Sequence, residues 1–184
     1  MSATAATTRA PADRLRPATE VALGLVTVAA IVGMHRLFVD GSYRGALVLQ
    51  ALLAHLVVTL LRRAGVRLVP AAAITAAAAV LFITWTRFPE TAAWGLPTTD
   101  TFRAVGDDVS SAWSLFGKVR APAPVENGFV VTTAAVVWAI AFLADWAAFR
   151  VSATFEAVLP ATTLFVFAAA LGGDGSPVAS AALF

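Results

Sequence analysis

The 184-residue chain contains no cysteine, and histidine occurs only at His35 and His55. Disulfides, thiolate metal sites and a cysteine nucleophile are therefore excluded within these residues. Two histidines alone do not complete a zinc site. Charge is scarce too: 13% of residues are charged against 59% hydrophobic, and the mean hydropathy is +0.81. A soluble domain of this size needs a polar exterior that such a composition does not supply, whereas lipid removes the requirement. There is no Gly-rich phosphate loop, no nucleophile elbow, and no basic patch interleaved with aromatics of the kind that grips nucleic acid. Neither a catalytic residue, a cofactor nor a metal is expected in this chain, and nucleic acid is not an expected partner.

What the chain does contain is five apolar runs. Residues 1–19, rich in Ala, Thr, Pro and Arg and without periodicity, read as a disordered cytoplasmic tail. The first run spans about Val21 to Val39. Its charge-free part, Val21 to Met34, makes a helix only about 21 Å long at 1.5 Å per residue, against a hydrocarbon core of about 30 Å. Leu37, Phe38 and Val39 are therefore expected to complete the crossing while Arg36 snorkels to the headgroups. No small-x-small cleavage site follows, so the segment reads as an uncleaved first helix rather than a signal peptide.

A polar turn, Asp40-Gly41-Ser42-Tyr43-Arg44, precedes the second run, Gly45 to Leu61, and a second turn, Arg62 to Arg67, precedes the third, Leu68 to Trp85. After the long polar stretch 87–127 comes the fourth run, Gly128 to about Phe149. The fifth follows Arg150 and extends to Leu171, with Glu156 near its start and Pro160 inside it, and Val178 to Phe184 opens a sixth after a Gly-rich turn. The sequence thus predicts an all-α, polytopic transmembrane helix bundle of five full spans plus the start of a sixth. Helices 1–3 fall in residues 20–86, and helices 4, 5 and the truncated sixth in 128–184. β-barrel strands would be about half as long and alternating, which these runs are not.

Arginine placement orients the bundle. An N-terminus inside puts Arg9, Arg14, Arg16, Arg62, Arg63, Arg67 and Arg150 on the cytoplasmic side, against Arg36 and Arg44 on the outer short turns. The expected location is the cell membrane, multi-pass, with residues 87–127 outside. Twelve of the 13 basic residues are Arg and Ala is abundant, which fits a GC-rich coding source such as an actinobacterium.

Within the long loop, residues 101–118 read as an amphipathic helix. Phe102, Val105, Val109, Trp113 and Phe116 recur at helical spacing, Thr99 or Asp100 is placed to cap the start, and Gly117 lies near the end. Two placements fit equally, one in the outer membrane interface and one packed on top of the bundle. The adjacent Asp107 and Asp108 point about 100° apart and lack EF-hand spacing, so they read as a solvated face. The acids inside spans are Asp145 and Glu156, and such groups are functional candidates because unpaired charge in lipid is costly. Asp145 and Arg150 are five positions apart, a poor intrahelical pair, so Arg150 is expected to bridge from its turn toward Asp145 or Glu156. Gln50 and His55 read as interhelical hydrogen-bonding groups. Trp85 and Trp146, near opposite ends of spans, suit interfacial belts.

From Trp85 onward the order of motifs is distinctive. Arg87-Phe88-Pro89-Glu90 and Gly95-Leu96-Pro97-Thr98-Thr99 lead into the amphipathic segment, followed by Ala121-Pro122-Ala123-Pro124-Val125, Gly128, Leu143-Ala144-Asp145-Trp146-Ala147, Arg150 and Ala157-Val158-Leu159-Pro160. In this order the features resemble the N-terminal membrane region of the bacterial transglutaminase-like TgpA proteins, the DUF3488 family. The family has Gly before the Leu-Pro of its fifth helix, where this chain has Glu156-Ala157-Val158. The resemblance implies a membrane anchor for an extracytoplasmic cysteine-dependent acyl-transfer or peptidase domain that these residues do not include. The lipid bilayer and partner membrane proteins are the expected partners. Two other readings remain open from the residues: a small transporter or ion-conducting protein using Asp145, Glu156 and His55, and a scaffold that docks partners on the outer loop. The resemblance implies that the 184 residues by themselves are inert, since activity of that class needs a thiolate. Peptidase and crosslinking assays on the purified chain are expected to give no turnover, and turnover in either would refute it.

Overall fold

A chain in hydrocarbon has to satisfy each backbone N–H and C=O internally, and an α-helix does so within a single segment. The computed structural model describes residues 11–116, 118 and 121–171. Six α-helices account for most of them: α1 (Pro11–Gly33), α2 (Ser42–Arg63), α3 (Leu68–Arg87), α4 (Thr99–Phe116), α5 (Asn127–Asp145) and α6 (Leu159–Leu171). Helical segments Arg16–Arg36, Ser42–Arg63, Leu68–Arg87 and Asn127–Val151 are long and apolar enough to cross a membrane. The protein is thus an all-α bundle with four candidate crossings, and its apolar exterior suits a bilayer.

α5 is the central helix. Half of its span (50%) is buried, against 22% for α3, and it packs on α1, α2, α3, α4 and α6. Ala134, Ala141 and Ala144 on α5 and Ala51 and Ala54 on α2 are all buried. Small residues at such faces let helix backbones approach closely, which matters in lipid because apolar contact alone gives no preference for protein over acyl chain. Ala30, Ile31, Leu47, Val130, Val131 and Val137 complete the core between α1, α2 and α5.

The first crossing differs from the expected one. Helix α1 is described from Pro11, inside the stretch expected to be a tail. Residues 1–10 of that tail lie outside the described residues. Length is therefore gained at the N-terminal end. Leu37 and Phe38, expected to extend the span through lipid, are instead buried in the core after a 3-10 turn at Met34–Arg36. Tyr43, expected in a polar turn, belongs to α2 and is buried, its ring 4.7 Å from that of Phe38. Asp40 remains exposed in the turn, and Ser42, whose side chain and amide both bond to it, holds its carboxyl below the usual range.

The turn after α2 follows from its glycine. Gly65 adopts φ 71°, its N–H bonds Arg62 O at 3.0 Å, and Val66 N–H bonds Leu61 O at 3.0 Å. This is the Schellman arrangement that satisfies the last carbonyls of a helix.

The passage from the fourth apolar run to the fifth is not regular α-helix. From Trp146 to Val151 the chain widens into a π-helical turn, Ser152 takes a left-handed conformation (φ 61°), and a 3-10 turn covers Glu156–Val158. Regular helix resumes at Leu159 and is described as far as Leu171. Pro160 sits in the first turn of α6, where its missing N–H costs nothing, and so does not kink a span. The Gly-rich turn and the sixth run, Val178 to Phe184, lie outside the described residues, as does Gly117.

Between α3 and α5 the chain forms a cap. A two-residue hairpin, β1 (Ala92–Ala93) with β2 (Leu96–Pro97), precedes α4. Trp94 and Gly95 at its tip both have positive φ, 55° and 76°, as a type I′ turn requires. Thr98, rather than the expected Thr99 or Asp100, caps α4: its hydroxyl accepts the Thr101 N–H at 3.3 Å, and Thr101 Oγ1 accepts the Thr98 N–H at 3.0 Å. Asp100 instead pairs with Arg103 on the exposed side. Helix α4 lies against α5 so closely that a Cβ on Gly128 would fall 2.0 Å from Asp108 O.

That approach makes Gly128 obligatory. Gly128→Ala must push α4 off α5 and is expected to cost at least the roughly 1–3 kcal/mol of an overpacked core. Gly106→Ala on the same cap meets nothing within 4 Å and is expected to stabilise by up to about 1 kcal/mol through helix propensity. Thermal unfolding of both variants in detergent checks the pair, and equal midpoints would refute the close contact.

Candidate functional site

The acid that sequence reasoning singled out, Asp145, is buried at the arginine-rich end of the bundle, and its partner is Arg62. Arg62 is the penultimate residue of α2, so its guanidinium emerges where α2, α1 and α5 meet. Its Nε donates to Asp145 Oδ1 at 2.9 Å and its Nη2 donates to Glu20 Oε1 on α1. Arg63 Nη2 donates to the other oxygen of Glu20. The Arg62 guanidinium also stacks over the Phe149 ring, 3.9 Å from its centroid. Side-chain exposure is 13% for Arg62, 13% for Glu20 and 8% for Asp145. Two carboxylates therefore share one buried guanidinium, with the more exposed Arg63 completing neutrality.

Two of the expected site residues are placed elsewhere. Arg150, expected to bridge to Asp145 or Glu156, instead donates from Nη2 to Val66 O at 2.9 Å, tying the end of α5 to the turn after α2. Arg150 lies in the π-helical turn that follows α5, beside the turn after α2. Glu156 is exposed in its 3-10 turn, apart from the buried cluster. Pro160 is a helix-start residue, and Trp113 is exposed on α4. Sequence reasoning missed Glu20 and Arg62, one assigned to the edge of the first span and the other to a turn.

A second polar contact joins the same helices deeper in the bundle. Thr27 donates to Leu23 O at 3.0 Å and lies 2.9 Å from His55 Nε2. The Thr27 hydroxyl and the His55 imidazole thus share a hydrogen bond between α1 and α2. Glu20–Arg62 and Thr27–His55 are each symmetric about residue 41, two heptad-spaced rungs of one antiparallel α1–α2 register. That symmetry about the Asp40-Gly41 turn is the sequence signal that pairs Glu20 with Arg62.

The third polar group is fully satisfied. Gln50 donates to Phe82 O at 3.1 Å and to Thr86 Oγ1 at 2.9 Å, and accepts the Trp138 indole N–H at 2.7 Å. It thus links α2 to α3 and α5, as expected of an interhelical residue. At the opposite end, Arg87 Nε donates to Asn127 Oδ1 at 2.5 Å, and Asn127 Nδ2 donates to Asp108 Oδ2 at 2.5 Å. Asp108, read as solvated, therefore serves the junction of α3, α4 and α5, while Asp107 is exposed. Among the described residues no group of three or more His, Cys, Asp or Glu side chains comes together.

The geometry defines a class: a polytopic helical membrane bundle whose buried ionic groups neutralise one another. Comparison with protein-family models, curated proteins and solved structures finds no match to this chain.

Removing one partner of a buried ion network strands the others, which costs about 3–5 kcal/mol, whereas losing one hydrogen bond to a carbonyl costs about 0.5–1.5 kcal/mol. Arg62→Leu is therefore expected to lower the thermal midpoint in detergent far more than Arg150→Leu. Replacing Glu20, Arg62 and Asp145 together by Leu is expected to recover most of the loss. A triple variant no more stable than Arg62→Leu alone would contradict this account.

Proposed function

We propose that the chain is the membrane-anchoring N-terminal portion of a transglutaminase-like protein, holding an extracytoplasmic cysteine-dependent acyl-transfer or peptidase domain in position. In this reading the N-terminus is cytoplasmic, residues 87–127 lie outside the cell membrane, α6 begins a fifth crossing, and Val178 to Phe184 opens a further apolar segment that is either re-entrant or followed by one more crossing, so that the domain emerges outside. The observation that carries the anchoring role is the Arg62 network: Glu20 and Asp145 are neutralised inside the bundle by a cation shared among three helices. Such a network resists relative movement of α1, α2 and α5, which suits a fixed platform. A proton or ion path needs acids that are free to load and unload, and Asp145 is engaged by Arg62 while Glu156 stands apart. The transglutaminase-like assignment itself rests on the order of motifs from Trp85 to Pro160.

Reporter fusions and downstream sequence test the two halves of the proposal separately. Alkaline phosphatase inserted at Lys118 is expected to be active, and a fluorescent protein fused at the N-terminus is expected to fold and fluoresce. The reverse pattern would overturn the orientation. The reading frame after Phe184 is expected to encode a soluble domain containing Cys, His and Asp, and a stop codon there would overturn the anchoring role. In that event, ion flux in proteoliposomes would separate a transporter from a scaffold.

A further inference from the structure

Helix α4 distributes its side chains in three sectors, not two. With about 100° of rotation per residue, Thr101, Asp108 and Ala112 share the sector against the bundle, and each is buried or half-buried. Arg103, Asp107, Ser110 and Ser114 share the sector turned away from it, and all are exposed. Phe102, Trp113 and Phe116 occupy the flank between the two and are exposed as well, Trp113 at 76%. A helix lying on a bundle with its buried face down and its polar face up points this flank sideways, over the rim of the spanning helices.

Contacts fix the height of that rim. The Trp113 ring stacks on Phe116 at 5.9 Å, and Phe116 stacks on Phe167 at 6.5 Å. Phe167 is an exposed residue of the apolar helix α6. The aromatic flank of α4 is therefore continuous with the exposed apolar surface of a bundle helix. A second point of continuity lies at α3. The Trp85 indole N–H, one turn or less from the end of that helix, donates to Gly95 O at 2.6 Å. The hairpin thus folds back along the last turn of α3, and its tip residue Trp94 is fully exposed there.

Trp94 also occupies a costly position. A bulky residue at positive φ is rare, and type I′ turns take Asn, Asp or Gly there. The hairpin base is nonetheless held firmly: Thr98 and Thr101 hydroxyls both donate to Thr91 O, at 2.8 and 2.9 Å. A wholly exposed tryptophan at positive φ, level with the end of an apolar helix, carries backbone strain that no burial among the described residues offsets.

We infer that the cap between α3 and α5 is seated in the headgroup region of the bilayer, with Trp94 at the α3 rim and Trp113 and Phe116 at the α6 rim. The occupant of this aromatic surface is lipid: indole rings favour the zone where an apolar ring meets ester and headgroup dipoles. Its continuity with the exposed faces of α3 and α6 selects lipid over a protein partner. The inference rests on the bundle spanning a bilayer, and goes beyond it in making the cap part of the membrane contact rather than a soluble projection.

The test uses the full 184-residue chain in proteoliposomes, with phosphatidylcholine brominated either near the headgroup end or near the terminus of its acyl chain. Trp94→Phe and Trp113→Phe are compared with the parent chain, so that each difference spectrum reports one indole. Both differences are expected to fall about twofold or more with bromine near the headgroup, and less with bromine near the chain terminus, as for an interfacial ring. If neither lipid quenches them while the parent chain's emission is quenched through Trp85 and Trp146, the bundle is inserted and the cap stands free of lipid, which overturns the inference alone. No quenching of the parent chain at all would overturn the membrane reading together with it.

Discussion

One guanidinium sets the arrangement of three helices. Arg62 lies in an apolar bundle, where an unpaired charge is costly and a paired one tolerable only with its remaining donors engaged. Glu20 on α1 and Asp145 on α5 meet that requirement together, and the Phe149 ring covers one face of the cation. Neither acid suffices alone, because one carboxylate leaves the other buried without a counter-charge. Satisfying both draws α1, α2 and α5 to a common point and fixes their relative height. The Thr27–His55 contact, seven residues further into each helix, follows from the same register.

Elsewhere the bundle uses the same logic with weaker groups. Hydrocarbon packs against hydrocarbon about as well in lipid as in protein, so Leu and Val do little to choose a neighbour. The choice falls to small residues and to polar side chains. Gln50 uses its carbonyl and both amide protons to hold α3 and α5 against α2. At the far end Asn127 links Arg87 to Asp108, and the absence of a side chain at Gly128 lets α4 settle on α5. Polar contacts thus define both ends and the middle of the bundle, with the apolar core filling between them.

Much of the fold was legible because lipid demands long uninterrupted apolar helices, and charge at 13% of residues marks their limits clearly. The extents of α2 and α3 follow from that demand, and the existence of α4 from the helical spacing of its apolar residues. The limits of legibility were local. Tyr43 and Phe38 looked like turn and span residues and became core, since aromatic rings pack equally well wherever two helix ends converge. The stripe on α4 was read as one face. The structure divides it, with Val105 and Val109 against the core and Phe102, Trp113 and Phe116 exposed. Spacing gives the angle of a residue round its helix, but not the direction from which the neighbour arrives.

The sequence by itself determined an all-α protein with membrane-length apolar helices, an amphipathic helix between the third and fourth of them, and a chain without thiol chemistry. Each follows from composition and periodicity, which act within one segment. Only the tertiary structure decided that Arg62 forms the ion pair with Asp145, that Glu20 shares it, and that the fourth run ends in a π-helical turn before α6. Those outcomes depend on which helices are adjacent and at what height. Pairing across 83 positions of chain is a property of packing, and local sequence carries no direct record of it.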